Sequence, residues 1–279
     1  MSLEQPLPIG KLPMELLRDL LQRYSGQASA AHGRLIAGPG IGEDVAVIDM
    51  GDTCMVVKTD PITFATDQIG WYTVNVNAND VVTSGARPLW MLATLLLPEA
   101  RTTPSLVEEI FRQLSAACGE LGIVLVGGHT EVTHGLDRPI VVGVLIGEVS
   151  RERLLTTAMA RVGDRLLLAK GIPIEATALI AREKADVLRQ RGYSEAFLAA
   201  AQRFLFEPGI SVVAAAQVAA AHPGVHAMHD PTEGGLAMGV RELAYAAGAG
   251  LRLDADCVPI LPEGARLCAE FGLDPLGVI

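Results

Sequence analysis

Between residues 45 and 149, strand-length apolar runs alternate with helix-length periodic ones, and the alternation restarts after residue 150. That rhythm restricts the chain to α/β layers, because each strand needs a sheet neighbour and each amphipathic helix needs an apolar face to cover. Residues 45–48 and 54–59 read as strands joined by the turn Met50-Gly51-Asp52. Residues 71–84 read as a helix ending at Gly85 and 89–97 as a buried strand. A helix over 105–121 starts behind Pro104 and stops at Gly122. Strands follow at 123–126 and 140–149, around a turn-rich stretch over 127–139. Upstream, Leu12, Leu16, Leu17, Leu20, Leu21 and Tyr24 recur at helical spacing, so 11–24 reads as an amphipathic helix. Gly26 and Ser29 loosen the chain after it, and Gly38-Pro39-Gly40-Ile41-Gly42 forbids regular structure.

The second half reads as strands at 165–169, 226–229 and 251–254, with helices over 174–191, 194–206, 210–221, 235–247 and 262–271. Ser150-Arg151-Glu152-Arg153 interrupts the apolar pattern and places a domain boundary near 150–160. The expected units are a lead-in over 1–37, an N-terminal domain over 38–150 and a C-terminal domain over 151–279. Residues 274–279 read as the start of a strand, from which a truncated C-terminal domain is expected.

Composition narrows the function. Half of the residues are hydrophobic and only 4% aromatic, which suits closely packed α/β layers. A formal charge of −10 repels a phosphate backbone and excludes nucleic-acid wrapping, yet suits a protein that gathers carboxylates around cations. Cys54, Cys118, Cys257 and Cys268 lie far apart, without a C-x-x-C pair, and read as small buried hydrophobes of a reducing compartment. The first residues lack a leader pattern, and apolar runs such as 89–97 are too short to span a bilayer. A cytoplasmic protein without a membrane anchor is expected.

Five segments place acids or amides beside glycines or other small residues. Gly40-Ile41-Gly42-Glu43-Asp44 combines close backbone approach with hard oxygen ligands, or is a solvated loop. Lys58-Thr59-Asp60-Pro61 closes a strand with groups for a cation and a phosphate, or is an ordinary turn. Asn75, Asn77, Asn79 and Asp80 crowd one helix, although Asn and Asp are poor choices in a helix interior. Such a local cost marks a site. Val126-Gly127-Gly128-His129-Thr130-Glu131 reads as a strand entering a turn suited to phosphate or metal. In His229-Asp230-Pro231-Thr232-Glu233-Gly234-Gly235, a glycine pair opens a helix, which suits phosphate, or Thr232 simply caps it. No Walker A loop, dinucleotide fingerprint or nucleophile elbow is present.

In this order the five segments resemble the superfamily of aminoimidazole ribonucleotide (AIR) synthetase, selenophosphate synthetase, thiamine-monophosphate kinase and the hydrogenase maturation factor, over roughly 38–279. Asn79-Asp80 with Ser84-Gly85-Ala86-Arg87-Pro88, and Asp230 to Gly235, are most similar to the hydrogenase-maturation branch. The resemblance implies a two-domain AIR synthase-like α/β fold whose N-terminal sheet builds a barrel-like interface in a homodimer. It further implies ATP with Mg²⁺ and phosphoryl transfer to a small-molecule acceptor. A small-molecule kinase of the thiamine-monophosphate type and a non-catalytic nucleotide-binding regulator are the alternatives. Carried over by motif, Asp44, Asp60, Asp80 and Glu131 are the implied metal ligands, and Asp60, Asp80 and Asp230 the implied catalytic acids. Gly42, Lys58, Thr59, Asn79, Gly127, Gly128, His129, Thr130, Thr232, Gly234 and Gly235 are the implied ATP and phosphate contacts. His129 stands where the kinase and the maturation factor carry an acid, and Glu131 is the substitute ligand. The maturation factor's C-terminal cysteine has no counterpart before Ile279.

Overall fold

The computed structural model describes residues 6–7, 9–25, 33–40, 42–65 and 67–279. Gly26, Ser29 and Ile41 lie outside the described residues. Helix α1 (Met14–Tyr24) covers most of the expected 11–24. Strands β1 (Leu35–Ala37), β2 (Ala46–Asp49), β3 (Thr53–Ile62), β4 (Arg87–Pro98), β5 (Val124–Thr133) and β6 (Ile140–Ser150) form a six-stranded sheet in the order β1-β2-β3-β6-β4-β5. Neighbouring strands are antiparallel except β4 and β5, which run parallel and are joined through the helix α3 (Pro104–Leu121). Thr103 caps α3 by accepting from the Leu106 N–H, Pro104 sits in its first turn, and Gly122 closes it in a left-handed conformation.

Helix α2 (Ile69–Thr83) and α3 cover one face of the sheet. Val56 and Ile62 of β3, Met91 and Leu95 of β4, and Val141 and Leu145 of β6 pack there with Val74, Ala78, Val81, Ile110 and Leu114. Thr73, Asn75 and Asn77 inside α2 survive burial by bonding back to the preceding turn. Thr73 Oγ1 donates to the Ile69 carbonyl at 2.7 Å, Asn75 Nδ2 to Trp71 at 3.0 Å and Asn77 Nδ2 to Thr73 at 2.8 Å.

Two expectations change in this half. Asp60-Pro61 does not end its strand: β3 runs on to Ile62, paired with β6 as far as Val141. Its pairing with β2 stops at Val57, so Pro61 lies where no neighbour on that side needs its missing N–H. The stretch from 127 to 133 is not a turn but the rest of β5. Gly128 serves strand packing, since a Cβ on it would overlap the Ala93 carbonyl oxygen of β4.

The second half holds α4 (Glu175–Glu183), α5 (Ala185–Gln190), α6 (Glu195–Gln202), α7 (Val213–Ala220), α8 (Gly235–Ala246) and α9 (Pro262–Phe271). The single helix expected over 174–191 is thus two, separated at Lys184. Residues 165–169, 226–229 and 251–254 form no strands. Extended backbone counts as strand only with a partner in register, and the ladder there is limited to the isolated bridge Ile172–Ile260. A separate small core joins Ala181, Leu188, Leu198, Ala201 and Leu267. No helix among the described residues is long and apolar enough to cross a membrane.

Candidate functional site

Side chains alternate across a strand, so Lys58 and Asp60 share the helix-covered face of β3 while Thr59 points the other way and is exposed. Asp80, one turn from the end of α2, meets them. Lys58 Nζ lies 3.1 Å from Asp80 Oδ2 and 3.4 Å from Asp60 Oδ2. Asn77 holds the backbone of Asp60 in place: its Oδ1 accepts from the Asp60 N–H at 2.9 Å, and its Nδ2 donates to the Asp60 carbonyl at 3.4 Å. This contact depends on Gly143 of β6, where a Cβ would come within 2.5 Å of Asn77 Nδ2.

The loop before β2 and the start of the 230s segment supply the other wall. His229 is sandwiched between two carboxylates, with Nδ1 2.8 Å from Asp44 Oδ2 and Nε2 3.1 Å from Glu242 Oε2 of α8. Ligand atoms of Asp44, His229 and Asp230 lie within 4.8 Å of one another.

The electrostatics follow from crowding acids in a buried place. Burial works against the charge of His229, but its bonds to Asp44 and Glu242 and the nearby Asp230 push it up to about 10, so it is an imidazolium. Burial, then the charge of Asp44, raises Asp230 to about 7, while His229 and Lys58 oppose the rise. Asp80 is raised by burial first and by Asp230 next, with Lys58 opposing. Lys58 is itself held above its ordinary range, since Asp80, Asp60 and Asp44 outweigh its burial.

Asp80 Oδ2 and Asp230 Oδ1 are buried without a hydrogen bond. Lys58 pairs with Asp80 Oδ2 at 3.1 Å, whereas Asp230 Oδ1 has no such partner. An unbonded buried carboxylate oxygen is costly, and a cation is what relieves it. With both His229 nitrogens donating to carboxylates, the available ligands are hard oxygens, the donor set of Mg²⁺ or Mn²⁺. The residues present therefore fit such an ion.

The family match is decided by sequence. Residues 42–149 match the AIR synthase related protein N-terminal domain, and residues 161–278 match the corresponding C-terminal domain. The chain belongs to the AIR synthase related family. A putative hydrogenase expression/formation protein of Methanocaldococcus jannaschii, MJ0676, is 28% identical over 96% of this chain and 77% of its own length. Carbamoyl dehydratase HypE of Cupriavidus necator is 31% identical over 80% of this chain and 62% of its own, so the AIR synthase related region spans less than two thirds of that relative. AaThiL complexed with AMPPCP and TMP superposes with a TM-score of 0.73 at 20% identity, covering 96% of this chain and 82% of that one. HypE in complex with ATP gives 0.61 at 24%, covering 86% and 70%. The two superpositions show the fold, a two-part AIR synthase-like α/β architecture.

Several residues expected at the site of this AIR synthase related chain lie elsewhere. His129 and Glu131 are on β5, three strand spacings or roughly 14 Å from β3. They pair with each other at 3.2 Å, opposite Thr94 and Leu96, on the face that α2 and α3 leave open. Glu131 thus does not join Asp44, Asp60 and Asp80 within one chain. Gly127, Gly128, His129 and Thr130 line, with Phe111 and Leu114, a groove of about 390 Å³ between α3 and β5.

Asn79 bonds backbone in the second half. Its Nδ2 donates to the Ile210 carbonyl at 2.9 Å and its Oδ1 accepts from the Val212 N–H at 2.8 Å, which ties α2 to the second half. Gly42 is packed against the Glu242 carbonyl and Gly235 against the backbone of Leu276 and Val278. Gly234, not Thr232, stands at the cap of α8, and the Thr232 hydroxyl accepts from Lys11 Nζ at 3.3 Å. Asn77, His229 and Glu242 were missing from the expected set. Asn77 carried the same signal as Asn79, a poor helix former inside a helix, whereas Glu242 carried none.

Proposed function

We propose that this protein binds ATP with Mg²⁺ and transfers a phosphoryl group to, or thereby activates, a small-molecule acceptor. The observation that carries the reading is the meeting of Asp44, Asp60, Asp80 and Asp230, from four separate segments, around two buried carboxylate oxygens without hydrogen-bond partners. Four acids held this close repel one another and repel a triphosphate, and they make chemical sense only with cations between them and the phosphates. The complex of HypE, a structure of the same fold, with ATP supports the nucleotide.

Asp44 and Asp230 would hold the ion, which when bound neutralises phosphate charge and orients the terminal group, and Asp60 and Asp80 lie beside it, paired with Lys58. The protein's own part is positioning. Asn77 fixes Asp60, Glu242 and the His229 imidazolium fix Asp44, and Lys58 adds a positive charge to the phosphate side.

The reading includes a homodimer built on the open face of the sheet. Val57, Ile146, Trp90 and Val124 lie in register across it as an apolar row, with Trp90 38% and Val124 57% exposed. His129 and Glu131 project from the same face. The deciding assay is ADP release with and without candidate acceptors, at fixed ATP, with Mg²⁺ present or chelated. Release that needs both Mg²⁺ and an acceptor is expected. Tight ATP binding without turnover under any condition would leave a non-catalytic nucleotide-binding protein instead.

A further inference from the structure

The acidic wall is divided. At one end, Asp60 and Asp80 already share a positive charge supplied by the chain, since Lys58 Nζ lies 3.4 Å and 3.1 Å from them with its side chain only 15% exposed. At the other end, Asp44 is bonded to His229 through one oxygen, and Asp230 Oδ1 is buried without any partner. Lys58 reaches its place because it is two residues from Asp60 on the same face of β3, and it cannot leave that face without breaking the strand's alternation. A divalent cation bound to Asp60 and Asp80 would have to sit against the ammonium. Two cations in contact inside a poorly solvated site repel strongly, so the two are mutually exclusive there.

We propose that Lys58 is a built-in counter-ion filling one cation position of the site, so that the chain takes a single divalent cation, at the Asp44–Asp230 end. The site is then a lysine-plus-one-metal arrangement in place of a two-metal clamp. The ammonium serves as the second positive charge, permanently covalent and independent of cation supply. This deepens the Mg–ATP reading and rests on it for the identity of the divalent ion, though not for the role of the lysine.

The test counts ions. The full chain is titrated with Mn²⁺, with and without ATP, and free Mn²⁺ is followed by its paramagnetic resonance signal, alongside a thermal melt of each variant. The wild type is expected to bind one Mn²⁺ per chain. Lys58→Met is expected to bind two, because Asp60 and Asp80 become free to ligate. Lys58→Arg, which keeps the charge, should stay at one, and the double change Lys58→Met with Asp80→Asn should return to one. Asp230→Asn should weaken the wild-type ion at least tenfold.

Two Mn²⁺ in the wild type would overturn the inference and leave the magnesium reading intact, and that count needs no variant to fold. A folded Lys58→Met that still takes one ion would overturn it too. No ion in the wild type but one in Lys58→Met would remove magnesium from the proposed activity while upholding the lysine's role. None in either would overturn both.

Discussion

Among single residues, Glu175 shows how burial sets charge away from the acidic wall. It opens α4, and burial together with the charge of Glu233 raises its carboxyl to about 7. A carboxyl with a raised folded pKa costs stability once the unfolded chain ionises. Below pH about 4.5 both states are protonated and nothing is lost. Between there and pH 7 the unfolded state gains progressively, and above 7 the full cost persists. Glu175→Gln removes the cost, so its melting temperature relative to wild type should rise by about 6 °C between pH 4.5 and pH 8. Paired melts across that range check it, and a flat difference would show that Glu175 ionises freely. Asn77 and Asn79 make a second residue-level contrast. Two positions apart on one helix, one amide orients Asp60 and the other clamps α2 to the segment around Ile210. The sequence marked both as out of place in a helix but could not say which backbone each would find, because the partners lie 17 and more than 130 residues away.

At the scale of elements, what was legible followed from periodicity. The helix over 262–271 appears with those bounds, and β4, β6, α2 and α3 within about two residues of expectation. The misreadings have two causes. Gly127-Gly128 reads as a turn because glycine is permissive, but in β5 the missing side chain lets one strand lie against the next. Gly128→Ala tests the difference. With a Cβ overlapping the Ala93 oxygen, β5 must move off β4, and the cost should be about 2 kcal/mol, read as a lowered urea midpoint. An unchanged midpoint would mean the edge strand is free to shift. The strands expected at 165–169, 226–229 and 251–254 failed for the converse reason: alternation describes one strand, while a ladder needs two.

For the whole molecule, the acids of the site come from the loop before β2, from β3, from α2 and from the segment before α8. Sequence alone could nominate them but not assemble them. The open face of the sheet carries the assembly question. If the apolar row through Trp90 is the contact between two copies, Trp90→Asp should convert a dimer to monomers with the fold retained. Light scattering during size-exclusion chromatography reads the mass directly. A monomeric wild type would remove the contact, and a dimer that tolerates the charge would place it elsewhere.

Strand β3 faces differently on each side: Lys58 and Asp60 look inward to the acidic wall, and Val57 and Thr59 look outward. A one-residue insertion near Thr53 that slid the strand past β6 would turn every side chain over, putting the ammonium on the outer surface and an aliphatic branch among the acids. The proposed contact between copies and the proposed chemistry would fail in the same step, so neither could drift along this strand without the other.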